Sequence, residues 1–274
     1  MPEKIEIQAV DLCKSFNDNT VLNGVNLSIY EGDTVAIVGG SGCGKTVLMN
    51  LILGQLKPDK GEIFVVDHDK EHAPFCKLSE IDEFERDNLH KHWGVVFQRN
   101  ALFSGTVYEN IALWLKEVRN MPDESILPIA RRSLAAVSLP ADDEFLYMDH
   151  DQLSGGMAKR LAVARALAME PVVLFYDEPT TGLDPTSSAQ IHDLIFATHN
   201  HILPKGMTRT TIIITHDKDL LNRLQPRTIM LHDGKVFFDG SFAGFKKSRS
   251  KIIRPYFDLM PVLHKREHDQ ASSP

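Results

Sequence analysis

The run Gly39-Gly40-Ser41-Gly42-Cys43-Gly44-Lys45-Thr46 fits the pattern G-x-x-x-x-G-K-[ST] in full. Each residue type suits phosphate. Glycines let successive backbone N–H groups turn inward toward anionic oxygens, at a helix N-terminus whose dipole favours negative charge. Lys45 is long enough to reach the β- and γ-phosphates of a nucleoside triphosphate, and the Thr46 hydroxyl is a ligand for Mg²⁺. Cys43 reads as a small loop residue rather than a nucleophile. A second element is the apolar run Val172 to Tyr176, which ends in Asp177 and Glu178. An aspartate at the end of a buried strand organises the Mg²⁺ shell, and a carboxylate beside it can orient or deprotonate an attacking water. The two elements together predict a nucleotide triphosphatase.

Side chains so far apart in sequence must be brought together by regular elements. Thr34 to Val38 is a short continuous apolar run, as expected of a strand covered on both faces, and it leads through Gly39 into a helix over Lys45 to Leu53. Ile5 and Ile7, then Val25, Leu27 and Ile29, alternate as antiparallel strands do. Gly61 to Val66, Trp93 to Phe97 and Thr210 to Thr215 read as further strands. Helical spacing runs over Val107 to Val137, Asp184 to Thr198 and Asp217 to Leu224, and Ser154 is placed to cap a helix over Gly155 to Met169. Asp233-Gly234 marks a hairpin between Thr228 to Leu231 and Lys235 to Phe238. Strands alternating with helices imply an α/β fold with a mainly parallel sheet, antiparallel strands at the start and an inserted helical region.

Composition narrows the function. The 274 residues carry 30 Lys+Arg against 37 Asp+Glu, a net charge of −7, which argues against nucleic acid as a partner. Three cysteines without paired spacing exclude a disulfide scaffold and suit a reducing compartment. No apolar run approaches the ~20 residues that span a bilayer, and the start lacks the apolar core of a signal peptide. The expectation is a cytosolic protein, or one held at a membrane only through a partner.

Leu153-Ser154-Gly155-Gly156-Met157-Ala158-Lys159-Arg160, just ahead of the aspartate strand, resembles the LSGGQ signature of the ATP-binding cassette family. Further matches keep the family order. Phe16 stands where an aromatic stacks on adenine, Gln98 in the Q-loop, Gly182-Leu183-Asp184 in the D-loop, and His216 at the switch histidine. The resemblance implies the P-loop ATPase fold of that family over residues 1–241, with the helical subdomain at about 99–168. It also implies a sandwich dimer, most simply of two copies of this chain. Gly39 to Val47, with Phe16, would hold ATP in one subunit, and Thr46, Gln98 and Asp177 the Mg²⁺. Ser154, Gly155, Gly156 and Asp184 of the other subunit would close over it. Lys45, Gln98, Glu178 and His216 would carry hydrolysis, with Glu178 as base. The sequence departs from the common pattern at Met157, which replaces glutamine, and at Val47, where many relatives have Thr or Ser.

Met157 within Ser154 to Arg160, with Phe97 to Ser104, is similar to the ATPases of Mla/Mce lipid transport systems. That resemblance implies an MlaE-type permease and an MCE-domain protein as partners, a lipid such as phospholipid as cargo, and a peripheral place on the cytoplasmic face of the inner membrane. A small-solute importer and a soluble ATPase acting on DNA or the ribosome are the rival readings. Residues 242–274, rich in Lys and Arg with interleaved Ile, Tyr and Phe, fit either a docking arm onto the partner subunit or an anionic membrane, or a helix that finishes the domain. Residues 67–92 read as a solvated insertion; His68, His72 and Cys76, spaced by four, carry an alternative reading as zinc ligands on one helix face.

Overall fold

The computed structural model describes residues 4–203 and 207–260. In chain order the strands are β1 (Ile5–Phe16), β2 (Asn19–Tyr30), β3 (Thr34–Val38), β4 (Lys60–Val66), β5 (Phe75–Lys77), β6 (Trp93–Val96), β7 (Val173–Asp177), β8 (Thr210–Ile214), β9 (Arg227–His232) and β10 (Lys235–Ser241). The helices are α1 (Lys45–Ile52), α2 (Glu83–His90), α3 (Val107–Glu117), α4 (Asp123–Ala136), α5 (Asp143–Leu146), α6 (Gly155–Leu167), α7 (Pro185–Asn200), α8 (Lys218–Leu224), α9 (Phe242–Lys247) and α10 (Ile253–Leu259).

The continuous apolar runs form the parallel centre. The larger sheet has the order β10-β9-β3-β8-β7-β6, with every pair parallel except the β9–β10 hairpin. Its central strands β3, β8 and β7 are covered on both sides. Val173 and Phe175 of β7 face one apolar cluster and Leu174 and Tyr176 another, and β8 divides Ile212 and Ile214 from Ile213 in the same way. The first cluster fills the space toward the antiparallel sheet β2-β1-β4-β5; the second is roofed by the helical region. The layout is the expected one: a mainly parallel sheet, an antiparallel sheet built from the first strands, and an inserted helical region.

Three local expectations change. The segment 107–137 is two helices, because Pro122 has no N–H to give a helix ladder and disfavours helical backbone at Met121; it becomes the extended N-cap of α4 instead. The segment 67–92 contributes structure: β5 pairs with β4 at the sheet edge, and Asp82 and Glu85 form a reciprocal cap on α2. No helix crosses 68–76, so His68, His72 and Cys76 share no helix face. His68 Nε2 lies 2.7 Å from Oε1 of the fully buried Glu6, while His72 is exposed. The zinc reading of those three residues is therefore set aside.

The described part of the C-terminal stretch packs on its own chain. Phe242 and Phe245 of α9 and Ile253 and Phe257 of α10 form a third apolar cluster with Ala36, Val38, Leu221 and Met230. Residues 261–274 lie outside the described residues. Among the described residues no helix is long and apolar enough to cross a membrane.

Candidate functional site

The glycine loop joins β3 to α1 at the carboxyl end of the parallel strands. Gly39 has φ 149°, and a Cβ there would sit 2.5 Å from the Leu231 carbonyl oxygen. Gly44 is left-handed at φ 100° and opens α1 without any side-chain cap. The contrast with α3, α6, α7 and α8, each capped by a Thr, Ser or Asp side chain, is direct. The first N–H groups of α1 carry no carboxylate or hydroxyl, and its first turn has no acidic residue, so they stay available to an anion. Lys45 Nζ donates to the carbonyls of Gly39 at 2.8 Å and Gly40 at 3.1 Å, spanning the loop where phosphate would sit. Burial pushes the Cys43 thiol up, which keeps it protonated, and Val47 packs against the apolar cluster between the sheets.

At the end of β7, Asp177 is buried, and its burial together with the charge on Glu178 raises its carboxyl, against the opposing pull of Lys45 and Lys159. A carboxylate so placed, with the Thr46 hydroxyl at the start of α1, suits a hard divalent cation with oxygen ligands. Thr46 and Asp177 thus fit Mg²⁺ in chemistry, and Gln98, exposed just past β6, carries an amide oxygen of the same hard-ligand class.

Glu178 follows in a left-handed backbone conformation at φ 45°, its N–H held by the Ile214 carbonyl at 2.8 Å. Its Oε2 lies 2.7 Å from His216 Nδ1. Glu178 and His216 therefore meet, although 38 residues separate them (216 − 178), because β7 and β8 are parallel neighbours that end together. The bond from Glu178 raises the His216 imidazole above its usual value, with burial opposing. A raised folded value means the pair's stabilisation is complete below the ordinary histidine range and is lost as pH rises through the raised value. We expect the His216 C–H resonances to titrate with a midpoint above about 6.5, and Glu178→Gln to return it toward that value.

One cleft of about 450 Å³ is lined by Gly39, Ser41, Lys45, Glu178 and His216, with Tyr256, Leu259 and Met260 from the C-terminal end forming its far side. The Tyr256 hydroxyl accepts from the Gly39 N–H at 3.0 Å and donates to the Gly39 carbonyl at 3.3 Å. Burial pushes that hydroxyl up to about 12, so it stays a donor.

The other expected residues are elsewhere. Phe16 is exposed at the end of β1 with Lys14 Nζ 5.5 Å from its ring centre. Gln98 is exposed just past β6. Ser154 caps α6, Gly155 is exposed beside it, and Asp184 caps α7 through the Ser187 N–H at 3.0 Å. Gly156 has a packing reason to be glycine: a Cβ would stand 2.6 Å from Ser187 Oγ, where α6 meets α7. None of these six lines the phosphate-loop cleft among the described residues.

Sequence reading missed Lys159. It is 2 % exposed on α6 and donates to the carbonyls of Phe97 at 3.0 Å and Gln98 at 2.8 Å. Arg165, one and a half turns on, donates to Ala101 at 2.7 Å. The helix opened by Ser154 thus anchors the backbone of the segment that carries Gln98. Burial lowers the Lys159 ammonium to about 8, with Asp177 pulling it back. A lysine in a signature that commonly carries polar residues gave no signal of burial. Lys159→Met removes the anchor without leaving a buried charge, so turnover is expected to fall about tenfold while the melting temperature moves by only a few degrees. Steady-state hydrolysis and thermal melts check both.

Comparison with known proteins agrees with this geometry. The ABC transporter family profile matches residues 22–181. The chain is 34% identical over 262 residues to protein TRIGALACTOSYLDIACYLGLYCEROL 3, chloroplastic, of Arabidopsis thaliana, covering 91% of this chain and 72% of that one. It is 34% identical to the intermembrane phospholipid transport system ATP-binding protein MlaF of Haemophilus influenzae, covering 86% and 83%. It is also 36% identical to the L-cystine transport system ATP-binding protein TcyN of Escherichia coli (strain K12), covering 86% and 90%. Among solved structures, the dimeric post-hydrolysis state of the ATP-binding cassette MJ0796, bound to ADP and Pi, superposes with a TM-score of 0.71 at 29% identity, covering 86% and 98%.

Proposed function

Because the chain belongs to the ABC transporter family, as an ATP-binding subunit that hydrolyses ATP, we propose that it drives the movement of lipid, phospholipid foremost, between membranes. The observation that carries the lipid reading is Met157 in place of glutamine in Leu153 to Arg160, with the similarity to MlaF along most of both chains. The partners are then an integral permease of the MlaE type and an MCE-domain lipid-binding protein, with this subunit peripheral on the cytoplasmic face of the inner membrane. Phe103, Leu113, Trp114 and Tyr147 of the helical region are large exposed apolar side chains that suit a permease surface. The net charge of −7 favours no role for nucleic acid.

In this reading two copies form the working unit. Ser154, Gly155 and Asp184 face solvent at helix N-termini away from their own phosphate loop, which supports their acting on ATP held by the other copy. Phe16 stacks on adenine; Gly39 to Val47 receive the phosphates, with Lys45 exchanging its two loop carbonyls for phosphate oxygens. Thr46, Gln98 and Asp177 would hold Mg²⁺, which would supply neutralisation of the phosphate charge. Glu178 takes the proton of the attacking water, and His216, bonded to Glu178, holds that carboxylate and stands ready for the γ-phosphate. Loss of the bridging γ-phosphate lets the two copies part.

A second reading, small-solute import, has the L-cystine relative in its favour, which matches 90% of that protein's length. Co-purification of the tagged chain from detergent-solubilised membranes separates the two. An MlaE-type permease with an MCE protein and bound phospholipid supports lipid transport. A different permease with a soluble binding protein overturns it and leaves the ATPase standing.

A further inference from the structure

Next to His216 stands Asp217, which is 3 % exposed and has both carboxylate oxygens in use. Oδ1 accepts the N–H groups of Asp219 at 2.9 Å and Leu220 at 3.1 Å, capping α8. Oδ2 accepts the Thr180 hydroxyl at 2.8 Å and lies 2.7 Å from Nε2 of His192. The Asp217 N–H in turn donates to Thr215 Oγ1 at 3.0 Å. His216 is thus held between two fixed neighbours, and Thr180 lies two positions after Glu178. One buried carboxylate steadies both members of the Glu178–His216 pair.

His192 is the contribution to this carboxylate from a third element. It sits on α7, the helix that Asp184 opens, and is buried there along with Ile191, Leu194 and Ile195 and the polar Ser188 and Thr198. A buried imidazole is costly unless its N–H finds an acceptor. Its bond to Asp217 answers the cost. Burial pushes the Asp217 carboxyl up, yet the bond from His192 holds it below the usual range, so it is an anion that keeps Nε2 as the donor.

We propose that His192 is a positioning residue for ATP hydrolysis: its bond to Asp217 ties α7 to the Glu178–His216 pair and holds that pair in working geometry. His192 touches no nucleotide; it acts through Asp217, and through the Thr180 and Thr215 contacts that share it. The inference rests on the ATPase chemistry and is independent of what is transported.

Three variants of the full chain test it: His192→Leu, His192→Gln and, for comparison, Thr180→Val. Steady-state ATPase, thermal melting and the His216 titration are measured on each. His192→Leu fills the site without a donor, and its kcat is expected to fall about tenfold with KM for ATP unchanged within about twofold. The His216 midpoint should fall with it, since the bond to Glu178 loosens. His192→Gln offers an amide N–H at similar reach and should recover most of both losses, and Thr180→Val should resemble the leucine variant. Full activity in His192→Leu overturns the proposal. So does a rise in KM at constant kcat, or a loss that glutamine fails to recover, since a packing role alone would give either.

Discussion

Replacing Glu178 by glutamine is expected to lower ATP turnover by at least about a hundredfold while ATP still binds, and to leave the nucleotide-loaded protein as a stable dimer. Glutamine keeps the size and one acceptor oxygen of glutamate and loses its basicity and its charge toward His216. The phosphate contacts are proposed for the glycine loop and Lys45, which the substitution does not touch. The backbone at Glu178 is left-handed and its N–H is tied to Ile214, so the residue is held in place by the fold and not by its carboxylate. What disappears is the group able to accept a proton beside the γ-phosphate. With turnover stopped, the two copies stay joined across ATP. Steady-state phosphate release, ATP-binding titration and size exclusion with and without ATP measure the three parts separately. Wild-type turnover in the glutamine variant would remove Glu178 as the base.

The second large effect is at Lys45. Lys45→Ala is expected to weaken ATP binding by about a hundredfold and to abolish turnover at cellular nucleotide levels. Its ammonium bridges the Gly39 and Gly40 carbonyls, a position that holds the loop open around an anion site at the start of α1. A charge-assisted hydrogen bond is worth about 1.5–3 kcal/mol, and a lysine between two phosphates makes more than one. Fold stability should change little, because Lys45 is half-buried at the mouth of the cleft and the carbonyls it bridges keep other donors, Gly39 the Tyr256 hydroxyl and Gly40 the Cys43 N–H. Binding of a fluorescent ATP analogue, followed alongside thermal melting, gives the test. Unchanged affinity would mean that the glycine loop alone holds the phosphates. Set beside Glu178→Gln, which binds and does not turn over, Lys45→Ala does neither.

Local chemistry made the phosphate loop, the Asp177 strand and the central strands legible from residues alone. A glycine run before Gly44-Lys45-Thr46 has few other uses, and apolar runs of five residues such as Thr34 to Val38 suit only a strand covered on both sides. The break between α3 and α4 was also written there, in Pro122, although the helical spacing on either side concealed it. The strand inside residues 67–92 is not legible in the sequence, because a short edge strand such as β5 carries no periodicity long enough to detect, and its partner β4 is what makes it a strand. The same limit explains Lys159 and His192. A charged or polar residue on a helix gives the same sequence signal whether it faces solvent or a buried acceptor.

The sequence alone therefore carries the proposed chemistry: which residue types suit phosphate and Mg²⁺, and which carboxylate suits activation of water. Those assignments depend on residue type and on neighbours a few positions away, and both are present in the chain before it folds. Tertiary structure decided the pairings. The alignment of β7 with β8 sets Glu178 against His216, the packing of α10 brings Tyr256 to Gly39, and α6 and α7 deliver Lys159 to Gln98 and His192 to Asp217. Contacts between residues 25 to 217 positions apart depend on strand order and helix packing, which no local spacing encodes.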